Sequence, residues 1–107
     1  MTAQDRARVL AALTLRPGKV NGIAGVDLAQ ILELKEREIR HAISDLRMEG
    51  IAVCGHPKTG YFIAANPAEL EETCAFLRDR ALHSLTLESK LRHVPLPELL
   101  GQLRLKT

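Results

Sequence analysis

Seven polar side chains in this 107-residue chain have the types and spacing to engage an anion. Arg37, Arg40, His41 and Ser44 recur at intervals of three and four, which gathers them on one broad face if the stretch is helical. A guanidinium can fork onto guanine O6 and N7, and any Arg or Lys can contact a phosphate. Lys35, Lys58 and Thr59 add further phosphate candidates on either side. The bland reading of the same residues is a solvated helix face, with Glu36 and Arg40 as an i,i+4 ion pair.

Catalytic and metal chemistry find less to work with. There is no Gly-rich phosphate loop, no HExxH and no nucleophile elbow. His41 and Asp45, four apart, read as a surface pair rather than a catalytic dyad. Cys54 and His56 share a strand face if the strand extends that far, and Cys74 or His83 can be added to them. The ligand pairs that zinc sites use are nevertheless absent. Both cysteines read as small buried hydrophobes. No cofactor, no metal and no enzymatic activity is expected. Tyr61 and Phe62 are adjacent, so on a strand they point to opposite faces and cannot form one stacking platform. Tyr61 is expected to pack the hairpin against the domain and Phe62 to fill the core.

Composition frames these candidates. An apolar content of 46% and a charged content of 26% are ordinary for a globular domain. Only three aromatics occur, so the core must be aliphatic, which favours helices. The formal net charge is +2, a balance that permits nucleic-acid binding without arguing for it. The N-terminus is polar and helix-like, so no signal peptide is expected. No apolar run approaches the roughly 20 residues that span a bilayer. A cytoplasmic protein is expected.

The elements that position the candidates follow from punctuation and period. Thr2 caps a first helix over about 3–15, with Asp5 in its first turn and Pro17-Gly18 stopping it. The Gly-punctuated loop after it has room for a short strand. A second helix runs over about 26–32 on Leu28, Ala29, Ile31 and Leu32. A third covers about 35–49, with Ile39, Ala42, Ile43 and Leu46 as its apolar stripe and Gly50 at C′. The β-prone runs 51–54 and 61–64 flank a turn-rich stretch and read as a hairpin. Asn66-Pro67 caps a long fourth helix over about 67–93, which Pro95 and Pro97 end. Arg47, one turn before the end of the third helix, is expected to brace carbonyls or the hairpin.

The order helix, short strand, helix, turn, helix, hairpin is that of a winged helix-turn-helix, a mainly α (α+β) fold, here with a C-terminal β-hairpin wing and an additional long C-terminal helix. The stretch from Leu28 to Ile63 resembles the N-terminal winged helix of the biotin operon repressor family. The matching pattern is Leu28-Ala29-x-x-Leu32, Leu34, Ile39, Ile43, Leu46-Arg47, Gly50, Ile51-x-Val53, Pro57 and Gly60-Tyr61. It covers about a third of the chain and implies a DNA-binding regulatory domain without biotin chemistry. Two positions depart from the pattern: Glu33 stands where such sequences place Gly in the turn, and Lys35 where they place Ser at the cap.

Two domains are expected, a winged helix over 1–66 and a helix with a Leu-rich tail over 67–107. Leu70, Cys74, Leu77, Ala81, Ser84 and Leu91 keep a seven-residue rhythm broken by Glu88. Leu77, Leu82, Leu85 and Leu91 need cover, as do Leu99, Leu100 and Leu103 of a tail that runs on to Leu105. A homodimer through these leucines is expected, with a protein partner at the tail as a further possibility. The expected function is double-stranded DNA binding by a small bacterial or phage transcriptional regulator that reads the major groove with the helix at about 35–49. The alternative is an interaction module of the same fold that does not bind DNA. Glu33, Glu36 and Glu38 favour the alternative.

Overall fold

A computed structural model of the chain describes residues 2–103. Arg104 and Leu105, the last part of the expected Leu-rich tail, lie outside the described residues. The fold is mainly helical with a small two-stranded antiparallel sheet. It forms two compact units, one up to Thr73 and one from Cys74 onward.

The first unit opens with α1 (Ala3–Thr14), closed at its start by a capping box. The Asp5 N–H donates to Thr2 Oγ1 at 3.0 Å, and the Thr2 N–H to the Asp5 carboxylate at 3.2 Å. These bonds hold the Asp5 carboxyl below its ordinary range, the Thr2 amide contributing most. After α1 the expected short strand is not formed. A single 3-10 turn (Lys19–Asn21) occupies the loop, flanked by isolated bridges from Pro17 to Ile63 and from Ile23 to Tyr61. Glycines at 18 and 22 shorten the extended segment to one residue at each side of the turn. A Cβ on Gly22 would run into the Thr59 carbonyl, so the approach of this loop to the hairpin requires glycine.

Next come α2 (Gly25–Leu32) and α3 (Glu36–Met48). The four residues expected as the α3 stripe, Ile39, Ala42, Ile43 and Leu46, are its four buried residues. They join Val9 and Leu13 of α1, Leu28 and Ala29 of α2, Ile23 and Val53 in one aliphatic core. Full burial of each large member is worth about 1.5–3 kcal/mol. Ile31, expected on the inner face of α2, is exposed instead, because Leu28 and Ala29 already fill that side. Arg8 donates to the Leu32 carbonyl at 2.8 Å and so places a cation at the negative end of α2. Arg6 pairs with Glu49 at 2.9 Å and ties α1 to the end of α3.

β1 (Val53–His56) and β2 (Gly60–Ile63) pair Val53 with Ile63 through His56 with Gly60. The hairpin starts later than its β-prone sequence. The Ile51 N–H is taken by the Leu46 carbonyl in closing α3, which leaves Ile51 outside the ladder. Val53, Cys54 and Gly55 are all buried, the mark of a strand covered on both faces. Arg47 Nε donates to the Val53 carbonyl at 2.8 Å, so it braces the hairpin, one of its two expected uses. Phe62 is buried and Tyr61 packs against the core cluster, both as expected.

The long helix α4 (Pro67–Arg92) starts inside the first unit. Asn66 Oδ1 accepts the Glu69 N–H at 2.9 Å, the cap that Asn-Pro announces. The Glu69 carboxylate accepts the Ala65 and Lys19 N–H groups, both at 2.9 Å. Those two amides, Ala65 first, hold its carboxyl below the ordinary 4.5. Lys19 pairs with Glu72 at 2.7 Å, a hydrogen bond that raises the Lys19 ammonium above its usual range. The Gly55 N–H donates to buried Thr73 Oγ1 at 3.3 Å.

In the second unit, α4 runs on to Arg92 and is followed by α5 (Leu96–Gln102). Ser89 and Leu99 are the buried residues of this unit among those described. Among the described residues no helix is long and apolar enough to cross a membrane.

Candidate nucleic-acid interface

The inward direction of α3 is set by its buried stripe. With successive residues about 100° apart, the opposite direction falls on Arg37, His41, Ser44 and Met48, a row at intervals of four, three and four. All four are exposed, Met48 to 86%. The acidic residues lie to the sides of this row. Glu38 and Asp45, each half-buried, stand about 90° and 70° from its centre, and Glu36 about 110°. The outermost ridge of the helix therefore carries no carboxylate, a distinction that the sequence reading of Glu36 and Glu38 as a single obstacle misses. Met48 is the member of the row which that reading leaves out. Its position four residues after Ser44 is the signal that would have found it.

Arg40 is off the ridge by about 70°, and its guanidinium lies 4.0 Å from the Glu36 carboxylate. His41 lies 4.0 Å from Asp45. Both contacts are exposed and long, so they add little to stability. Lys35 stands at the N-cap position of α3, where Glu38 accepts its N–H at 3.1 Å. This is half of a capping box, because an ammonium cannot accept the returning amide. Lys35, Arg37, Glu38 and His41 line one shallow recess of about 470 Å3 at the start of the helix. Four of the seven candidates thus sit on α3 and a fifth caps it.

The other two candidates sit in the hairpin turn. The Thr59 N–H donates to the His56 carbonyl at 3.0 Å and closes a turn with Pro57 in its second position. The Lys58 N–H donates to His56 Nδ1 at 3.1 Å, which makes that nitrogen an acceptor. Lys58 is exposed and Thr59 half-buried. Gly60 follows with a φ of 75°, and a Cβ there would collide with the backbone of Ile23. The tight turn, and with it the placement of Lys58, depends on glycine at 60.

The turn between α2 and α3 has an unusual backbone. Glu33 adopts φ 56°, ψ 42°, the left-handed conformation. The Leu34 N–H reaches the Ala29 carbonyl at 2.9 Å and the Glu33 N–H reaches that of Gln30 at 3.3 Å, a Schellman ending. α3 ends the same way at Gly50, with φ 86°. So does α4, where His93 takes the left-handed position at φ 57°.

The leucines named for dimerisation divide. Leu77 and Leu82 are each 40% exposed, Leu103 43% and Leu91 82%, while Leu85 and Leu100 are half-buried. Leu99 is buried within the chain, so it offers no surface to a partner, which corrects its place in the set. Cys74, expected to be buried, is exposed because it falls on the outward seven-residue stripe of α4; Cys54 is buried. No group of three or more His, Cys, Asp or Glu gathers in metal-binding geometry among the described residues. No family model, curated protein or solved structure matches the chain.

Proposed function

We propose that this chain is a double-stranded DNA-binding protein of the winged helix-turn-helix type, working as a small transcriptional regulator. α3 is the helix that enters the major groove, and the β1–β2 hairpin is the wing. The observation that carries the reading is the outer ridge of α3, which presents Arg37, His41 and Ser44 with the carboxylates set to its flanks. A major groove about 12 Å wide accepts one helix presented in this way. Lys35 at the start of α3 and Lys58 with Thr59 in the wing supply phosphate contacts, and Arg40 lies beside the ridge.

Two further observations support the fold assignment. The hairpin is bridged to Ile23, so a third extended segment lies beside it between the first and second helices. The pattern from Leu28 to Tyr61 that resembles the biotin operon repressor family falls on α2, the turn, α3 and the hairpin in order. The uncovered leucines of α4 support a homodimer, in which two copies of α3 would read an inverted repeat. The alternative, an interaction module of the same fold without a DNA face, is favoured by the carboxylates of Glu33, Glu36 and Glu38.

Selection from a randomised duplex pool at about 50 and 200 mM salt separates the two. The expected outcome is binding that weakens steeply with salt and enriches an inverted repeat. Absence of binding at the lower salt would retire the DNA reading in favour of the interaction module.

A further inference from the structure

We infer that Arg37 is the side chain that discriminates between bases, by taking a guanine in the major groove, and that Arg40 serves the phosphate backbone beside it. The inference rests on the DNA-binding reading and assigns separate tasks to two arginines that look equivalent in the sequence.

The first argument is direction. Ile39, Ala42, Ile43 and Leu46 are 0–2% exposed and fix which side of α3 faces the core. Arg37 stands within about 10° of the opposite direction, Arg40 about 70° away. A helix lying in the groove presents its outward ridge to the base edges and its flanks to the two phosphate walls. Arg37 is therefore aimed at the floor of the groove and Arg40 at a wall.

The second argument is depth. Arg37 is the second residue of α3, and helical side chains lean toward the N-terminus of their helix. The guanidinium thus reaches forward from the turn that leads into the groove. It shares a recess with Lys35, Glu38 and His41 at the start of the helix.

The third argument is availability. Guanine offers O6 and N7 side by side, and reading both needs two N–H groups of one guanidinium pointing forward together. Arg40 lies 4.0 Å from the Glu36 carboxylate on the same flank, a weak exposed contact that forking onto a base would give up at little cost. Arg37 has no ion pair among the described residues. A phosphate contact makes no such demand, since one N–H suffices and the charge acts at a distance.

The test uses the full chain and the duplex chosen by pool selection, with its complete set of single-base variants, read by fluorescence anisotropy at several salt concentrations. The wild type is expected to require guanine at one position of each half-site. R37A should erase that preference, a loss of roughly 5- to 150-fold on the guanine duplex with little change on the variants. R37K should not restore it, because an ammonium lacks the fork. R40A should weaken all duplexes by one common factor and lower the salt slope by about 1. Both residues are exposed, so melting temperatures should not move. A uniform loss from R37A, or a base preference erased by R40A, would overturn the assignment while leaving the DNA reading intact. A wild type that binds no duplex at about 50 mM salt would overturn both.

Discussion

Glu33→Gly should stabilise this protein, and the size of the gain can be worked from one backbone angle. Glu33 is held at φ 56°, ψ 42° by the two amide bonds that end α2. A residue with a Cβ pays roughly 1–2 kcal/mol to sit there, and glycine does not. Glycine also has more freedom to lose on folding, which returns roughly 0.5–1 kcal/mol to the other side. The net expectation is a gain of about 0.5–1 kcal/mol, or an increase in Tm of roughly 2–8 °C for a domain of this size. The carboxylate adds in the same direction, because it lies at the negative end of α2. Glu33→Ala separates the two causes: it removes the charge and keeps the backbone cost. Thermal and urea denaturation of the three proteins, followed by circular dichroism, is the assay. A Gly variant no more stable than the Ala variant would show that charge, not conformation, sets the effect. A Gly variant less stable than wild type would refute the reasoning.

Other expectations follow from single contacts. Glu69→Gln should lower stability at neutral pH, because an amide cannot accept the Ala65 and Lys19 N–H groups as a carboxylate does. The depressed Glu69 carboxyl contributes stability that is present above 4.5 and lost as pH falls through its lower folded value. The gap between the two proteins in urea should therefore narrow below that pH, and a constant gap would count against the clamp. Gly60→Ala should cost roughly 2–5 kcal/mol, from left-handed strain plus collision with Ile23, and Gly50→Ala only about 1, since its surroundings are open. Equal costs in denaturant melts would remove the close approach from the account. On the proposed homodimer, Leu91→Lys should halve the mass that the wild type shows in sedimentation without lowering monomer stability, since the side chain is 82% exposed. An unchanged mass would move the interface off this stripe.

Much of the helical frame was legible because capping and termination are local. Thr2 with Asp5, Gly50, and Asn66-Pro67 each act within a few residues of themselves, and each stands where the sequence puts it. The α3 stripe was legible for the same reason, since Ile39, Ala42, Ile43 and Leu46 repeat at the helical period. The short strand expected before α2 failed because its partner is remote: Pro17 and Ile23 pair only as isolated bridges, with Ile63 and Tyr61. Leu99 and Cys74 were misjudged for a related reason. Hydrophobic character gives no direction, and burial depends on which side of α4 or α5 a residue occupies. The left-handed Glu33 and His93 gave no signal, because the amide bonds that enforce them belong to the helix ends and not to the side chains. The candidate site was half legible. Its cations could be named from their types, while their sorting into ridge and flank needed the inward axis of α3.

The isolated bridges have a bearing on the order in which this chain acquires its shape. A ribbon of two four-residue strands is marginal by itself in water. Its persistence comes from Pro17 and Ile23, which meet Ile63 and Tyr61 across roughly 40 residues of intervening chain, together with Arg47 on the Val53 carbonyl and Thr73 on the Gly55 N–H. The expected consequence is that the hairpin forms late in folding, and a peptide of residues 51–64 alone should show no β structure. The same dependence runs backward. Any loosening of the loop at 17–23 releases the ribbon before it releases the helices, so the amides of β2 should be the first of the paired amides to exchange with solvent.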